Sequence, residues 1–518
     1  MSIAERFAGM GRLTRALVLV TAVAVVVAAV WGGWTVTRPD LTCAEGVHKR
    51  TPDGECTGVT DGAFSYAPWL DEVSARIKTE NDAVDGRPHV TVAVMVPMTG
   101  FTKAVDTDRI LRQVQGAYLA QYHANHDESE APKIRLVLAN PGSDSFDWPR
   151  VTGQLARMAA SSGDNLRAVT GFDRSVPATK DTIAHLTRDL HIPVVGGAIT
   201  ADDLANDKQA PGRYPGLVRT VPTNTGEADA LAAYPGRDRA EKAVVVEDSR
   251  DDDNYISTLK HAFERITTSS ARHTPETFTS PADIADTGNT SNVFDIVIQN
   301  ICQSDADTIY FAGRYTQLQQ FINGLGKRGC SRPFTLVTGS EANALLSDSD
   351  LKWTALKKKV TVRYVSLAHP DMWTGKRVDG GAAKDVKQLV TLVDLASRGP
   401  VGPIGPTDLT DSRTMVMYDT VWTAVQGIRL SFSGNHPADR PETVPSIADV
   451  AGTWQLIHSA HKVEGAGGWI CLDSHGNPYD KALAVVELEP DSRTARFVAL
   501  AWPNRKPPEA DCTAPNGT

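Results

Sequence analysis

The sequence predicts an α/β protein of two lobes, each a mostly parallel sheet with helices on both faces, preceded by one N-terminal transmembrane helix. Three observations predict it. From residue 90 onward, short and continuously apolar runs alternate with helically spaced apolar positions. That is the pattern of repeated βα units around strands buried on both faces. The alternation comes in two series, each long enough to build its own sheet. Near the N-terminus, residues 16–36 form a stretch of 21 residues without a charge, and about 20 apolar residues span a bilayer as a helix.

Composition narrows the function. At 518 residues the chain is too long for one ordinary domain. Lys+Arg 53 against Asp+Glu 62 leaves a net charge of −9, an acidic balance unsuited to a phosphate backbone, so no nucleic-acid partner is expected. Hydrophobic residues at 41% and charged residues at 22% exclude wholesale disorder and a polytopic membrane protein.

Arg6, Arg12 and Arg15 precede the apolar stretch, which places a tail of residues 1–15 in the cytoplasm. Trp31 and Trp34 stand where an interfacial aromatic belt falls. The chain from about residue 37 then lies outside, which predicts a single-pass protein of the cell membrane. A cleaved signal peptide is the competing reading, but its apolar region would be long and no clear A-x-A site follows. Asp40, Leu41 and Thr42 before Cys43 do not make a small-residue lipoprotein signal.

All six cysteines, Cys43, Cys56, Cys302, Cys330, Cys471 and Cys512, lie beyond the anchor. An even count on that side of the membrane predicts disulfides, although many pairings are open. Sequential pairing is the expectation. Cys43 and Cys56 flank a turn-rich stretch. Cys302 precedes the run DTIYFAG and Cys330 the run FTLVTG. If those runs are adjacent parallel strands, both cysteines sit at the strands' amino ends, within bridging distance.

The elements follow in order. Residues 37–87 read as a linker and a small disulfide-containing cap with a helical pattern, PWLDEVSARIKTEN. The first lobe, 88–220, carries candidate strands 90–96, 134–139, 168–171 and 192–196. Residues 219–223 form a crossover. The second lobe, 221–366, carries strands 242–247, 308–312, 334–338 and 360–366. Helical patterns at 382–397 and 414–431 belong to a return to the first lobe, 367–450. A β-rich segment, 451–500, mainly on the second lobe, holds a turn at 475–478, and 501–518 is a tail.

A search for catalytic chemistry is negative. No G-x-S-x-G elbow, no G-x4-G-K-[ST] loop and no G-x-G-x-x-G after the first strand occurs. His458 and His461 stand three apart in a helical pattern without a third ligand nearby, which reads as a solvated face. Asp251, Asp252 and Asp253 lack the spacing of a calcium loop and read as a solvated acidic turn. No enzyme activity, cofactor or metal is expected.

The segments VTVAVMVPMTG, HIPVVGGAITADDL, YPGLVRTVPTNTGEADAL, ADTIYFAGRYTQLQQFINGLGKRG and MYDTVWTAVQGI, in that order, resemble the type I periplasmic binding proteins, the Leu/Ile/Val-binding branch of ABC-transporter solute receptors. The likeness spans roughly residues 88–490. The cap and anchor resemble actinobacterial versions in which the receptor is tethered. The resemblance implies a ligand between the lobes, at the carboxyl ends of the strands. It implies ligand contacts from Thr99 after the first strand, Ser175 after the third, and Ala198 and Thr200 after the fourth. It further implies Tyr255 as a covering aromatic and Glu341 as the partner of a ligand ammonium, which is the chemistry of an amino-acid zwitterion. Phe172, Asp173 and Arg174 are bulkier and more charged than the family pattern. Thr200 and Ser175 also read as helix caps, and Glu341 as a first-turn acid. The implied function is a membrane-tethered extracytoplasmic solute-binding protein that hands a small polar ligand to an ABC permease or other membrane partner. The alternative is a ligand-sensing ectodomain that signals through a partner protein.

Overall fold

The computed structural model describes residues 41–51, 53–127, 132–234, 242–267, 273–375, 379–434 and 444–514, with Gly11 and Thr21. Apart from Thr21, the expected membrane-spanning segment lies outside the described residues, and among these no helix is long and apolar enough to cross a membrane.

The chain opens with three short strands, β1 (Thr42–Ala44), β2 (Val47–Lys49) and β3 (Cys56–Thr60), and the helix α1 (Asp71–Val84). Then come β4 (His89–Met95), α2 (Ala104–Asn125), β5 (Lys133–Asn140), α3 (Trp148–Ala160), β6 (Leu166–Gly171), α4 (Pro177–Ala184), β7 (Val194–Gly196) and β8 (Leu217–Arg219). Together these build an eight-stranded sheet ordered β1-β2-β3-β5-β4-β6-β7-β8. The strands from β4 to β8 are parallel, and β3 lies antiparallel to β5. The segment expected to be a separate cap therefore extends the first lobe's sheet. Its strands have too few residues for an alternating pattern to show, and Gly58 sits in β3, where a side chain would run into the backbone of Gly46 and Val47.

The crossover leads into α5 (Asn224–Ala233), capped by Thr223, whose hydroxyl accepts from Gly226 N at 3.2 Å. The second series is β9 (Ala243–Asp248), α6 (Asn254–Thr267), β10 (Glu276–Phe278), α7 (Thr290–Gln303), β11 (Thr308–Ala312), α8 (Tyr315–Leu325), β12 (Phe334–Thr338), α9 (Trp353–Leu356) and β13 (Val360–Ser366). After it come α10 (Ala383–Arg398), α11 (Arg413–Gly434), α12 (Ile447–Thr453), a hairpin of β14 (Val463–Gly465) and β15 (Gly468–Ile470), then β16 (Leu483–Glu489) and β17 (Thr494–Ala501). The second sheet has seven strands ordered β10-β9-β11-β12-β13-β16-β17, with β16 and β17 antiparallel at its edge. Four phenylalanines cluster here: Phe278, Phe294, Phe311 and Phe321 pack ring to ring beside β9–β11.

The chain passes between the lobes repeatedly. It leaves the first at the crossover and returns as α11, which packs along α2. Gly116 permits that approach, because a side chain there would meet the Thr414 carbonyl. The chain then runs beside β8, where Gly476 O accepts from Arg219 N at 2.9 Å, before entering β16. In place of the helical pattern holding His458 and His461 are two short 3₁₀ turns, Trp454–Leu456 and Ser459–His461. After β17 the tail runs back, and Cys512 O accepts from Ser459 N at 3.4 Å.

The six cysteines form Cys43–Cys56, Cys302–Cys330 and Cys471–Cys512. Strands β11 and β12 are adjacent and parallel, with Thr308 opposite Thr335. That register sets Cys302 and Cys330 at the same end of the sheet, 5.8 Å apart at Cα.

Candidate functional site

The carboxyl ends of the parallel strands in the two sheets face each other across a cleft. On the first lobe, β6 ends at Gly171, whose φ is +110° and whose Cα lies close against the Met95 backbone. Phe172 follows with φ +64°, a left-handed conformation uncommon for a bulky residue. This turn aims Asp173, Arg174 and Ser175 into the cleft. On the second lobe, β9 leads to Asp253 and to Tyr255 in the first turn of α6, β11 to Arg314, and β12 to Ser340 and Glu341.

Ser175, Ala198, Thr200, Tyr255 and Glu341 line one interlobe cavity of about 60 Å³, room for a few water molecules. The structure thus brings together five of the six residues expected to touch a ligand. Thr99 is not among them. Its hydroxyl donates to Glu55 at 2.7 Å and accepts from Asn140 at 3.0 Å, so it ties the loop between β2 and β3 to the end of β5.

Two of the five carry internal duties that differ from the expectation. The Ser175 hydroxyl accepts from Thr200 N and Ala201 N, each at 3.1 Å, and so pins the loop after β7 rather than presenting itself to a ligand. Glu341 pairs with the guanidinium of Arg314 and accepts from Tyr315 N at 3.3 Å.

Arg314 organises the cleft. It stands at the position before α8 and is 1% exposed. Its Nε and Nη2 donate to the two oxygens of Asp253 at 2.9 and 2.8 Å, a bidentate pair. Nη1 donates to Glu341, and Nη2 also reaches across the cleft to the Ser175 carbonyl at 2.8 Å. The guanidinium lies 4.8 Å from the centre of the Tyr255 ring. Burial works against its charge, but Glu341 and Asp253 outweigh burial and hold it protonated, above its ordinary range. The acidic run expected to be a solvated turn is divided: Asp251 pairs with Lys260, Asp252 with Arg250, and buried Asp253 with Arg314.

A second charged group forms the wall on the first lobe. Arg109 donates to Asp106 at 3.0 Å and pairs with Asp173. Burial pushes the Arg109 pKa down to about 9. Arg174 donates to Asp106 at 2.8 Å. Burial favours the neutral form of Asp106, but Arg109 and Arg174 together hold its pKa below the usual carboxylate value. Beyond this wall lies a wider chamber of about 620 Å³, open between Phe101 and Phe172 on one lobe and residues 282–285 on the other. Behind the cavity, Glu227 is fully buried and accepts from Ser340 N at 3.0 Å and Ser340 Oγ at 2.8 Å. Burial raises its pKa to about 8. Among the described residues, no group of three or more His, Cys, Asp and Glu side chains is placed to hold a metal ion.

Arg109, Gln113, Arg314 and Arg413 also line the cavity, and no motif in the sequence singled them out. The one available signal was the charge of the loop beginning at Phe172. Arg314 lies inside a segment that reads only as a strand–helix join.

No protein-family model and no curated protein matches the sequence. Among solved structures the chain is similar to a leucine-binding protein, LivK, from Thermotoga maritima, with 16% identity, a TM-score of 0.57, and 80% of this chain and 99% of that one covered. It is similar to an ABC transporter substrate-binding protein from Desulfitobacterium hafniense in complex with Leu, with 17% identity, a TM-score of 0.53, and 79% and 100% covered. It is also similar to a solute-binding protein of an ABC transporter from Rhodopseudomonas palustris in complex with 3,4-dihydroxybenzoic acid, with 13% identity, a TM-score of 0.53, and 83% and 100% covered. At these identities the likeness is one of fold.

Proposed function

We propose, from the premise that this chain has the type I periplasmic-binding-protein fold, that it is an extracytoplasmic solute-binding protein that captures a small polar ligand between its lobes for an ABC-type transporter. One observation carries the reading: side chains from both lobes converge on a single cavity at the carboxyl ends of the strands, with Arg314 of one lobe bonded to Ser175 of the other. Such a cavity forms only when the lobes approach, so a ligand there favours the closed arrangement by its differential contacts. The solved proteins of this shape include ones bound to leucine and to a hydroxylated benzoic acid. Both ligands are small and bear a carboxylate.

The reading includes a tether. The uncharged stretch 16–36 and the arginines before it support a single membrane-spanning helix with the bulk of the chain outside. Three disulfides support an oxidising compartment. The permease would meet the closed lobes from the membrane side.

Thermal unfolding of the purified protein in the presence of amino acids, small organic acids and amides tests the proposal. A bound solute stabilises by mass action, by about 2.7 kcal/mol at a hundredfold excess over Kd. An unshifted transition with every solute defeats it.

A further inference from the structure

The carboxylates that an ammonium group would need are already engaged. Arg314 takes both oxygens of Asp253 and one of Glu341, and Tyr315 N takes the other. Asp173, the remaining acid on the cavity wall, accepts from Gln113 at 2.6 Å and pairs with Arg109. Glu227 behind the wall is held by Ser340. An ammonium entering here would have to share oxygens that already accept hydrogen bonds, with Arg314 standing against Asp253 and Glu341 in the position it would take.

The donors are in the opposite condition. Arg413 spends Nη1 on Asp411 at 3.1 Å, and Arg174 spends Nη2 on Asp106 at 2.8 Å. Both line the cavity; Arg174 Nε also stands 3.8 Å from Asp173, and beyond these contacts their side-chain N–H groups hydrogen-bond to no described residue. Gln113 adds a complementary acceptor. It is 2% exposed, it lines the same cavity, and its Oε1 has no hydrogen-bond partner. Two guanidiniums suit a carboxylate, and a buried amide oxygen suits a hydroxyl.

Resting on the solute-binding reading above, we infer that the ligand is a small hydroxylated organic acid without an ammonium group, its carboxylate against Arg174 and Arg413 and its hydroxyl at Gln113. Arg314 occupies in advance the place where a zwitterion's positive end would sit, so the site selects against amino acids.

Isothermal titration calorimetry on the full-length protein tests this with matched pairs: leucine against 2-hydroxy-4-methylpentanoate, phenylalanine against 3-phenyllactate, and alanine against lactate. At least one hydroxy acid binds, and its amino acid binds about tenfold to a hundredfold more weakly, the cost of an unmet charged group. Arg413→Gln weakens the hydroxy acid by a similar factor, and Arg174→Gln provides the same readout should Arg413→Gln fail to fold. An amino acid that binds as tightly as its hydroxy acid, or more tightly, overturns the inference and leaves the solute-binding reading standing. Absence of heat with all six solutes overturns both.

Discussion

Arg314, rooted in the second lobe, donates to the main-chain carbonyl of Ser175 in the first at 2.8 Å. The same guanidinium is shared by Asp253 and Glu341 in its own lobe. One side chain therefore joins the lobes and sets the charge of the space between them.

Replacing Arg314 with Leu strands two carboxylates, one of them fully buried, without a cation. Breaking a buried pair in this way costs about 3–5 kcal/mol. Urea unfolding should show that loss, and small-angle scattering should show a larger radius of gyration, because the bond to Ser175 is gone. A variant with parental stability and dimensions would show that Arg314 neither ties the lobes nor balances the acids.

Glu227 makes stability depend on pH. Its pKa in the folded chain is about 8, against an ordinary 4.5. Below 4.5 both folded and unfolded chains hold the proton. Between 4.5 and 8 only the folded chain holds it, so the unfolded chain gains with each pH step. The contribution is present in full below the lower value and lost as pH rises through the upper one, on the order of a few kcal/mol. Glu227→Gln should flatten this part of the stability–pH curve, measured by thermal unfolding across that range. A slope that persists in the variant assigns the dependence to other groups.

The Cys302–Cys330 bridge spans 28 residues and ties the amino ends of two neighbouring central strands. In the chain-entropy account a loop of this length is worth about 3–4 kcal/mol. The double variant Cys302→Ala, Cys330→Ala should melt well below the parent protein, and a reductant should move the parent but leave this bridge's share of the change absent from the variant.

The contact between α2 and α11 depends on Gly116. Gly116→Ala pushes a methyl group into the backbone at Thr414. Overpacking of this kind costs about 1–3 kcal/mol. Chemical denaturation reads it directly, and Gly153→Ala, in α3 with open space around it, is the control that should cost nothing or stabilise slightly.

Much of the framework was legible because its physics is local. The runs at 308–312 and 334–338 are continuously apolar, and each became a central strand with those bounds. The pairing of Cys302 with Cys330 followed from expecting those strands to be neighbours. What stayed hidden depends on convergence over long separations. Arg314 meets Asp253, 61 residues away, and Glu341, 27 residues away. Neither distance leaves a mark in a short motif. Thr99 was placed at the ligand through a family pattern, but Glu55 from the extra edge strands claims its hydroxyl. His458 and His461 have helical spacing, but His458 takes extended backbone and only His461 lies in a 3₁₀ turn, so the two never share a helix face. Asp419 shows a motif residue whose duty is architectural: it accepts from Ala466 N at 2.6 Å and Gly467 N at 2.9 Å, holding the turn of the β14–β15 hairpin.

The tail described above has a mechanical consequence. Residues 502–512 lead from the edge of the second sheet to Cys471, in the segment that reaches Gly476, whose carbonyl accepts from Arg219 N in β8 of the first. The span from Cys471 through β16 and β17 to Cys512 is thus a closed ring threaded through both halves, clasped by sulfur. If the lobes hinge as proposed, that ring limits, in an oxidising environment, how far the jaws can part. Under reducing conditions the clasp opens, the last residues become a loose end, and the same jaws gain travel without any change at the surfaces that meet when they shut.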